Sequence, residues 1–157
     1  MYTFSIIMPT YNVENFIEKS LTSIVTQKYK SFEIIIIDSI SDDKTLEIVR
    51  TYKELYREYK WIIISEKDNG IYDAMNKGIK LATGKFIFFL GADDVFYSKN
   101  VLEIIYQESK LNRNIDIFYG NIIRVNNQIP NESKLVIPFK LYNNVVFNKI
   151  QVFFCII

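Results

Sequence analysis

The chain has 157 residues, of which 49% are hydrophobic and 24% charged, with a formal net charge of +1. This is the size of one domain and the composition of a folded globular protein, and the near-neutral charge excludes a general nucleic-acid binder, which would carry a basic patch. Histidine is absent, which excludes Ser-His-Asp and Cys-His catalysis. The single cysteine, Cys155, and an N-terminus without a signal-peptide pattern predict a cytoplasmic protein.

Predicted strands and helices alternate along the chain. Short apolar runs predict buried strands at residues 4–8, 32–37, 61–64 and 86–90, and the segment 116–125 looks extended. Apolar residues spaced three and four apart predict amphipathic helices at 14–27, 44–59, 71–81 and 98–110. Pro9 is expected to end the first strand, and Ser98 to cap the last helix. The alternation predicts an α/β fold, a Rossmann-like, mainly parallel sheet with helices on both faces.

Polar or acidic residues follow each of the four predicted buried strands. They are Pro9, Thr10, Tyr11, Asn12 and Glu14; then 38–43; then Ser65, Glu66, Lys67, Asp68, Asn69 and Gly70; and then Asp93 and Asp94. Right-handed crossovers place all these strand ends along one edge of a parallel sheet. Ligands of open α/β sheets bind beyond the carboxyl ends of the strands, so this edge is the predicted site.

Several of these residues also have a purely structural interpretation. Asp38 ends a buried run, and its partly desolvated carboxylate needs donors, which a bound base or ribose would supply. Asp42 and Asp43 equally suit the start of a helix. Asn76 and Gly78 are poor helix formers inside the third helix, where the glycine permits either a ligand or a packed neighbour to approach closely.

Asp93 and Asp94 are the sharpest signal in the sequence. Adjacent carboxylates repel each other unless a cation or solvent offsets their charge. Mg²⁺ and Mn²⁺ prefer oxygen ligands and often combine one or two carboxylates with substrate phosphates. The pair therefore predicts a metal-phosphate site, with an ordinary turn or helix start as the alternative.

These motifs together resemble glycosyltransferase family 2, and within it bacterial enzymes that build cell-surface polysaccharides. The resemblance rests on SIIMPTYN at 5–12, Asp38 with Ser41, Asp43 and Thr45, SEKDNGIYDAMNKG at 65–78 and FLGADD at 89–94. It implies a GT-A fold with a nucleotide-sugar-binding core over 1–125 and an incomplete acceptor-side segment over 126–157. It also implies an inverting transfer, assisted by Mg²⁺ or Mn²⁺, from a nucleoside-diphosphate sugar to a glycan or lipid-linked acceptor.

The resemblance also implies roles for individual residues. The residues that would line the nucleotide pocket are Pro9, Thr10, Tyr11 and Glu14. Asp38 would accept a hydrogen bond from the base, for which uracil and therefore a UDP-sugar is favoured. Asp68, Gly70 and Asn76 would lie along the sugar-diphosphate path. Asp93 and Asp94 would hold the metal ion.

The chain departs from the family pattern at three places. Gly91 stands where the metal motif usually begins with Asp or Asn, and the loop at Ser39, Ile40 and Lys44 lacks the usual glycine. No catalytic base is recognisable, so the catalytic residues are unknown. The apolar tail at 145–157 is expected to pack against something absent, which predicts a C-terminally truncated domain that can self-associate through this tail. A peripheral position at the inner face of the membrane is a separate expectation for this cytoplasmic protein.

Three alternatives to an active glycosyltransferase remain open at this point. The chain could be a catalytically silent nucleotide-sugar-binding domain. It could be a sugar nucleotidyltransferase, although residues 9–12 are not the glycine-rich, basic phosphate loop of that class. It could also be a response-regulator receiver, although the acidic pair of such a domain should follow the first strand rather than the fourth.

Overall fold

The computed structural model describes residues 2–111 and, beyond them, the backbone of three short strands. The strands are β1 (Phe4–Thr10), β2 (Phe32–Asp38), β3 (Lys60–Ser65), β4 (Phe86–Phe89), β5 (Ile117–Tyr119), β6 (Lys140–Tyr142) and β7 (Gln151–Phe154). The helices are α1 (Ile17–Val25), α2 (Thr45–Leu55), α3 (Ile71–Leu81) and α4 (Val101–Leu111).

The described strands form one sheet in the order β3-β2-β1-β4-β7-β5-β6. Every neighbouring pair is parallel except β5 with β6. The strand β2, with sequence FEIIIID, is buried along its whole length, as expected for a central parallel strand covered on both faces. The predicted α/β fold with a mainly parallel sheet is confirmed.

Alternating residues of the strands pack into two hydrophobic clusters, one on each face of the sheet. On one face, Ile6 and Ile34 pack with residues of α1, α2 and α4, such as Leu21. On the other face, Ile7 and Ile35 pack against α3. Because side chains of a strand alternate between faces, one apolar run supplies both clusters. The predicted placement of helices on both faces is therefore also confirmed.

Helix α3 lies very close to the sheet because Gly78 faces β1. A Cβ placed on Gly78 would come within 2.4 Å of Ile7 Cγ2, closer than atoms can pack. Of the two interpretations of this glycine, the structure supports close helix–sheet packing. Asn76 lies in the same helix but is exposed.

Several predicted boundaries were wrong. Pro9 does not end the first strand: it pairs with Ile37 inside β1, beyond the point where the β1–β4 ladder ends, so β1 is locally an edge strand that tolerates proline. Helices α1 and α2 are shorter than predicted because their apolar periodicity continues into flanking turns. Helix α4 begins at Val101, and Ser98 Oγ accepts instead from the Asn100 N–H in the preceding turn.

The apolar tail contributes a strand to the chain's own sheet. The backbone of Gln151–Phe154 lies between β4 and β5 and is parallel to both. What the apolar side chains of the tail pack against stays a prediction. Of the predicted extended segment at 116–125, Ile117–Tyr119 forms β5, and the rest lies outside the described residues. Within the described part of the chain, no helix is long and apolar enough to span a bilayer.

An ion pair between a buried glutamate and a partly exposed lysine holds the amino-terminal end of the sheet. Glu33 is fully buried in β2, and its carboxylate lies 2.7 Å from Lys60 Nζ while accepting hydrogen bonds from Ser5 Oγ and from the N–H and hydroxyl of Thr83. Burial pulls the pKa of Glu33 upward, but the hydrogen bonds from Lys60, Ser5 and Thr83 outweigh it and lower the pKa. Glu33 therefore remains ionised inside the fold.

Replacing Glu33 by glutamine should destabilise the protein and remove part of its acid sensitivity. The pKa of Glu33 is lowered from its ordinary value of 4.5, so its stabilising contribution is complete above that pH and is lost as the pH falls below it. We expect Glu33→Gln to lower the free energy of unfolding at pH 7 by about 2 kcal/mol and to flatten its decline below pH 4.5. Urea unfolding between pH 3 and 8 measures both, with the exposed Glu54→Gln as the control. An unchanged pH profile would contradict this account.

Ile40 adopts a backbone conformation that β-branched residues avoid. Its φ is +54°, in the left-handed region, and its side chain is exposed. The left-handed conformation costs a residue with a Cβ about 1–2 kcal/mol, and glycine removes this cost at a smaller entropy cost of its own. We therefore expect Ile40→Gly to raise the free energy of unfolding by about 0.5–1 kcal/mol. Urea unfolding measures this change, and Ile40→Ala is the matched control because it removes the side chain but keeps Cβ. Equal stabilities of the two variants would refute the strain.

Candidate functional site

The ends of three neighbouring strands meet at one buried carboxylate. Thr10, Asp38 and Ser65 are register partners at the carboxyl ends of β1, β2 and β3. Thr10 Oγ1 donates to one oxygen of Asp38 at 3.0 Å, and Ser65 Oγ donates to the other at 2.8 Å. Ser41, in the loop after β2, donates its hydroxyl to the first oxygen and its N–H to the second.

This arrangement changes the interpretation of Asp38. The side chain is fully buried, and both its oxygens already accept two hydrogen bonds each from the protein. The donors that a desolvated carboxylate requires therefore come from the fold and need no ligand. Asp38 joins the strand ends, while the next residue, Ser39, faces the cavity described below.

The loops after β1 and β2 are joined by hydrogen bonds in both directions. Asn12 N–H donates to Ser41 Oγ, and Asn12 Oδ1 accepts from Asp42 N–H. Glu14 likewise donates its N–H to Asp43 Oδ2, while Glu14 Oε2 accepts from Lys44 N–H. The predicted pocket residue Glu14 thus participates in this contact between the two loops.

Asp43 stabilises the beginning of α2. Its Oδ1 accepts from the Thr45 N–H at 2.9 Å, beside the first turn of the helix. Burial pulls the pKa of Asp43 upward, but hydrogen bonds from Thr45 and the Glu14 N–H outweigh it, and the pKa is lowered. The helix-start interpretation of Asp43 is the one that the structure supports.

A cavity of about 370 Å³ opens at the same edge, between the end of β1 and the start of α3. Its lining residues are Pro9, Thr10, Tyr11, Ser39, Asp68, Gly70, Ile71 and Ala74. Five of the predicted nucleotide-sugar residues thus lie around one cavity, whereas Glu14, Asp38 and Asn76 do not line it. Ser39, Ile71 and Ala74 were missed. The position of Ser39 directly after a buried strand was the available signal for it.

The loop that carries Asp68 and Gly70 is attached to α3. Lys77 Nζ lies 3.0 Å from Glu66 Oε1 and donates to the Lys67 carbonyl at 2.9 Å. The hydrogen bond with Glu66 raises the pKa of Lys77, which therefore keeps its charge at neutral pH. Asp68 Oδ1 accepts from the Gly70 N–H, which shapes the turn at the cavity.

The acidic pair follows β4, the neighbour of β1 on the side away from β2. Asp93 is exposed and Asp94 half-buried, and Asp94 Oδ2 accepts from the Gly91 N–H at 3.2 Å. A Cβ placed on Gly91 would lie 2.5 Å from Asp94 Oδ2 and 3.1 Å from Asp93 Oδ1. The two carboxylates therefore converge on the space that a larger residue at position 91 would fill.

This convergence fits a divalent cation that completes its coordination with ligand oxygens. Among the described residues, no group of three or more acids, histidines or cysteines is placed to hold a metal on its own. Two carboxylates with open positions are what Mg²⁺ uses when substrate phosphates supply further ligands. Asp93 and Asp94 can thus hold such an ion only together with other oxygen donors.

Comparisons with known proteins identify the family to which the chain belongs. The family model described as glycosyl transferase family 2 matches residues 5–156. A PGL/p-HBAD biosynthesis glycosyltransferase of Mycobacterium bovis is 39% identical over 76% of this chain and 46% of the relative. The Escherichia coli UDP-Glc:alpha-D-GlcNAc-diphosphoundecaprenol beta-1,3-glucosyltransferase WfgD is 34% identical over 94% of this chain and 56% of the relative. The chain thus spans about half the length of these relatives.

Solved structures show the same architecture. Staphylococcus aureus TarS 1-349 in complex with UDP-GlcNAc aligns with a TM-score of 0.67 and 29% identity over 76% of this chain and 34% of that one. The mannosyltransferase PcManGT of Pyrobaculum calidifontis, in complex with GDP-Man and Mn²⁺, aligns with a TM-score of 0.71 and 25% identity over 79% of this chain and 37% of that one. The match of the family model over nearly the whole chain, together with these likenesses, means that the chain belongs to glycosyltransferase family 2.

Proposed function

We propose that this chain is the donor-binding part of an inverting glycosyltransferase that uses a nucleoside-diphosphate sugar, with UDP as the favoured nucleotide. The observation that carries the proposal is the placement of the cavity and the acidic pair at the carboxyl ends of adjacent strands, β1 and β4. The cavity suits the nucleotide and the acidic pair suits its phosphates. The acceptor is a glycan or a lipid-linked saccharide in surface polysaccharide synthesis.

The chemistry of the cavity lining supports a nucleotide. Tyr11, whose side chain is 62% exposed, offers a ring on which a base can stack, and the Ser39 hydroxyl can donate to or accept from it. Gly70 and Ile71 at the start of α3 also line the cavity. The positive end of that helix dipole favours the negative charge of a diphosphate. Asn76, which is exposed farther along α3, is proposed to contact the sugar.

The printed names of the relatives support the choice of substrates. WfgD is named for a UDP-glucose donor and a diphosphoundecaprenol-linked acceptor, and TarS is solved with UDP-GlcNAc. PcManGT is solved with GDP-Man and Mn²⁺, which supports the class of donor and the metal but not uracil. A lipid-linked acceptor also supports a cytoplasmic enzyme working at the membrane surface. Self-association through the tail remains part of the proposal, with the backbone of β7 paired within the chain's own sheet.

Asp93 and Asp94 are the residues that would hold Mg²⁺ or Mn²⁺. Such an ion, when bound, stabilises the negative charge that develops on the departing nucleoside diphosphate. The contribution of the chain is to bring the two carboxylates together beside Gly91, where no side chain separates them. Position 91 lacks the Asp or Asn that the family usually carries there, and the carboxylate of Asp94 lies in the space that such a side chain would fill.

A second candidate function is a catalytically silent nucleotide-sugar-binding domain. The acceptor hydroxyl must lose a proton as it attacks, and a carboxylate base normally assists. At this edge, three carboxylates already accept hydrogen bonds from the protein: Asp38 from the Thr10 hydroxyl, Asp43 from the Glu14 N–H and Glu14 from the Lys44 N–H. Their engagement makes them poor candidates for the base and favours the silent alternative. Membership of the family leaves the nucleotidyltransferase and receiver alternatives without support.

Titration calorimetry with UDP tests the donor site. We expect Mn²⁺ to tighten UDP binding at least tenfold, about 1.4 kcal/mol, because the cation bridges the acidic pair and the diphosphate. The double variant Asp93→Asn/Asp94→Asn should lose this metal-dependent gain and retain weaker metal-free binding. Asp42→Asn, which removes an exposed acid from the same edge, is the matched control. Binding that ignores Mn²⁺, or a gain that survives the double substitution, would reject the site.

Turnover separates the active enzyme from the silent domain. Release of UDP from UDP-glucose or UDP-GlcNAc, measured with and without lipid-diphosphate saccharide acceptors, should depend on Mn²⁺ if the chain is active. The double variant Asp93→Asn/Asp94→Asn should then abolish release. Tight metal-dependent UDP binding with no release from either donor would instead identify the silent binding domain.

A further inference from the structure

Helix α1 carries two polar residues, Ser20 and Ser23, that contact the rest of the fold, and Gln27 lies just beyond the end of the helix at Val25. Ser20 is fully buried and Gln27 is 1% exposed, although the surrounding buried residues of the helix are apolar. Polar groups in such an environment are costly unless they are hydrogen-bonded. Their presence in a hydrophobic stripe therefore needs a partner elsewhere in the fold.

All three residues bond to the segment that connects β4 with α4. Ser20 Oγ donates to the Ala92 carbonyl at 2.7 Å, and Ser23 Oγ accepts from the Phe96 N–H at 3.1 Å. Gln27 Nε2 donates to the Ser98 carbonyl at 2.7 Å, and its Oε1 accepts from the Leu102 N–H at 3.2 Å. Positions 20 and 23 share one helix face, and Gln27 follows just after the helix, so the three residues form a row along this segment.

The connecting segment depends on these bonds because it contains little regular structure. Residues 90–100 lie outside any helix or strand, yet Ala92 and Phe96 are buried. Phe96 packs on Phe88 with ring centroids 4.9 Å apart, which holds the middle of the segment against the core. Its buried backbone groups still need partners, and the side chains of α1 supply them.

Of the three residues, Ser20 binds the peptide that adjoins the acidic pair. It binds the carbonyl of Ala92, which directly precedes Asp93, and Ala92 is itself only 5% exposed. The orientation of that peptide unit sets the direction in which the chain enters Asp93 and Asp94. A carbonyl left buried without its donor would favour rotation of the peptide toward another partner.

We propose that Ser20 is a positioning residue for the acidic pair, acting through the Ala92 carbonyl to hold the carboxylates of Asp93 and Asp94 where the donor's phosphates bind. This inference rests on the proposed function of the pair. Supporting groups behind a binding site matter because small displacements of its ligands weaken coordination. Ser20 itself is fully buried, so its role is to position the pair through Ala92 and not to contact the ligand directly.

The test separates positioning from a general loss of stability. UDP affinity is measured by calorimetry with and without Mn²⁺ for the unmodified chain and for the variants Ser20→Ala and Ser109→Ala. Ser109 is also a buried serine, and it donates to the Tyr106 carbonyl within α4. We expect Ser20→Ala to weaken Mn²⁺-dependent UDP binding about three- to tenfold, in line with an effect of a lost supporting group, while metal-free UDP affinity is unchanged. Ser109→Ala should leave both affinities unchanged.

A second variant covers the case in which Ser20→Ala does not fold. Ser20→Cys keeps a side chain of similar size with a weaker donor, and we expect an intermediate loss of the Mn²⁺-dependent gain. The inference is overturned if folded Ser20→Ala keeps the full Mn²⁺-dependent gain in UDP affinity. If the alanine variant is unfolded, the same result in Ser20→Cys overturns it. Equal weakening with and without Mn²⁺ also overturns it. Failure of the proposed function is distinguished because the unmodified chain would then show no Mn²⁺-dependent gain at all.

Discussion

The buried carboxylate of Asp38 is the interaction on which the arrangement of this sheet edge depends. A fully buried carboxylate is stable only if donors surround it, and here they come from the end of β1, the end of β3 and the loop after β2. Satisfying one charge therefore brings three segments of the chain into a defined relation. Ser39 and Thr10 take their places at the cavity as a consequence.

The remaining parts of the edge are positioned in the same way, by polar contacts between segments distant in sequence. The loops after β1 and β2 exchange hydrogen bonds through Asn12 and Glu14, and Lys77 of α3 holds the loop before Asp68. The row at 20, 23 and 27 binds the segment after β4. The apolar clusters build the sheet and its helices, and this second layer of polar contacts shapes the loops that follow the strands.

The division between apolar and polar contacts explains what could be predicted from the sequence. Apolar periodicity located the first four strands and all four helices, and it placed α3 at its observed bounds, because burial on one or two faces leaves a regular pattern. The cavity contains five predicted residues because the ends of parallel strands share an edge. The family resemblance, which rests on the same motifs, is borne out by the match to the family model.

No local pattern records the contacts between segments that are distant in sequence. The burial of Asp38 beside Thr10 and Ser65, with Ser39 at the cavity, depends on the pairing register of β1, β2 and β3. A contact of Asp38 with the base stays a prediction. Glu14 was assigned to the pocket by the family resemblance, and its hydrogen bond from the Lys44 N–H was not predicted because it joins positions 30 apart in the chain. The parallel pairing of Gln151–Phe154 with β4 was not predicted because it joins residues far apart in sequence. The division of the chain at residue 125 remains a proposal.

The central claim is that the cavity and the acidic pair form one site for a nucleoside diphosphate and its metal. Crystals grown with UDP and Mn²⁺, measured for the anomalous scattering of manganese, test it most directly. The account predicts one manganese peak at coordination distance from a carboxylate oxygen of Asp93 or Asp94 and from the diphosphate, with uridine beside Tyr11 and Ser39. A manganese ion bound away from the pair, or a uridine bound outside that cavity, would contradict it.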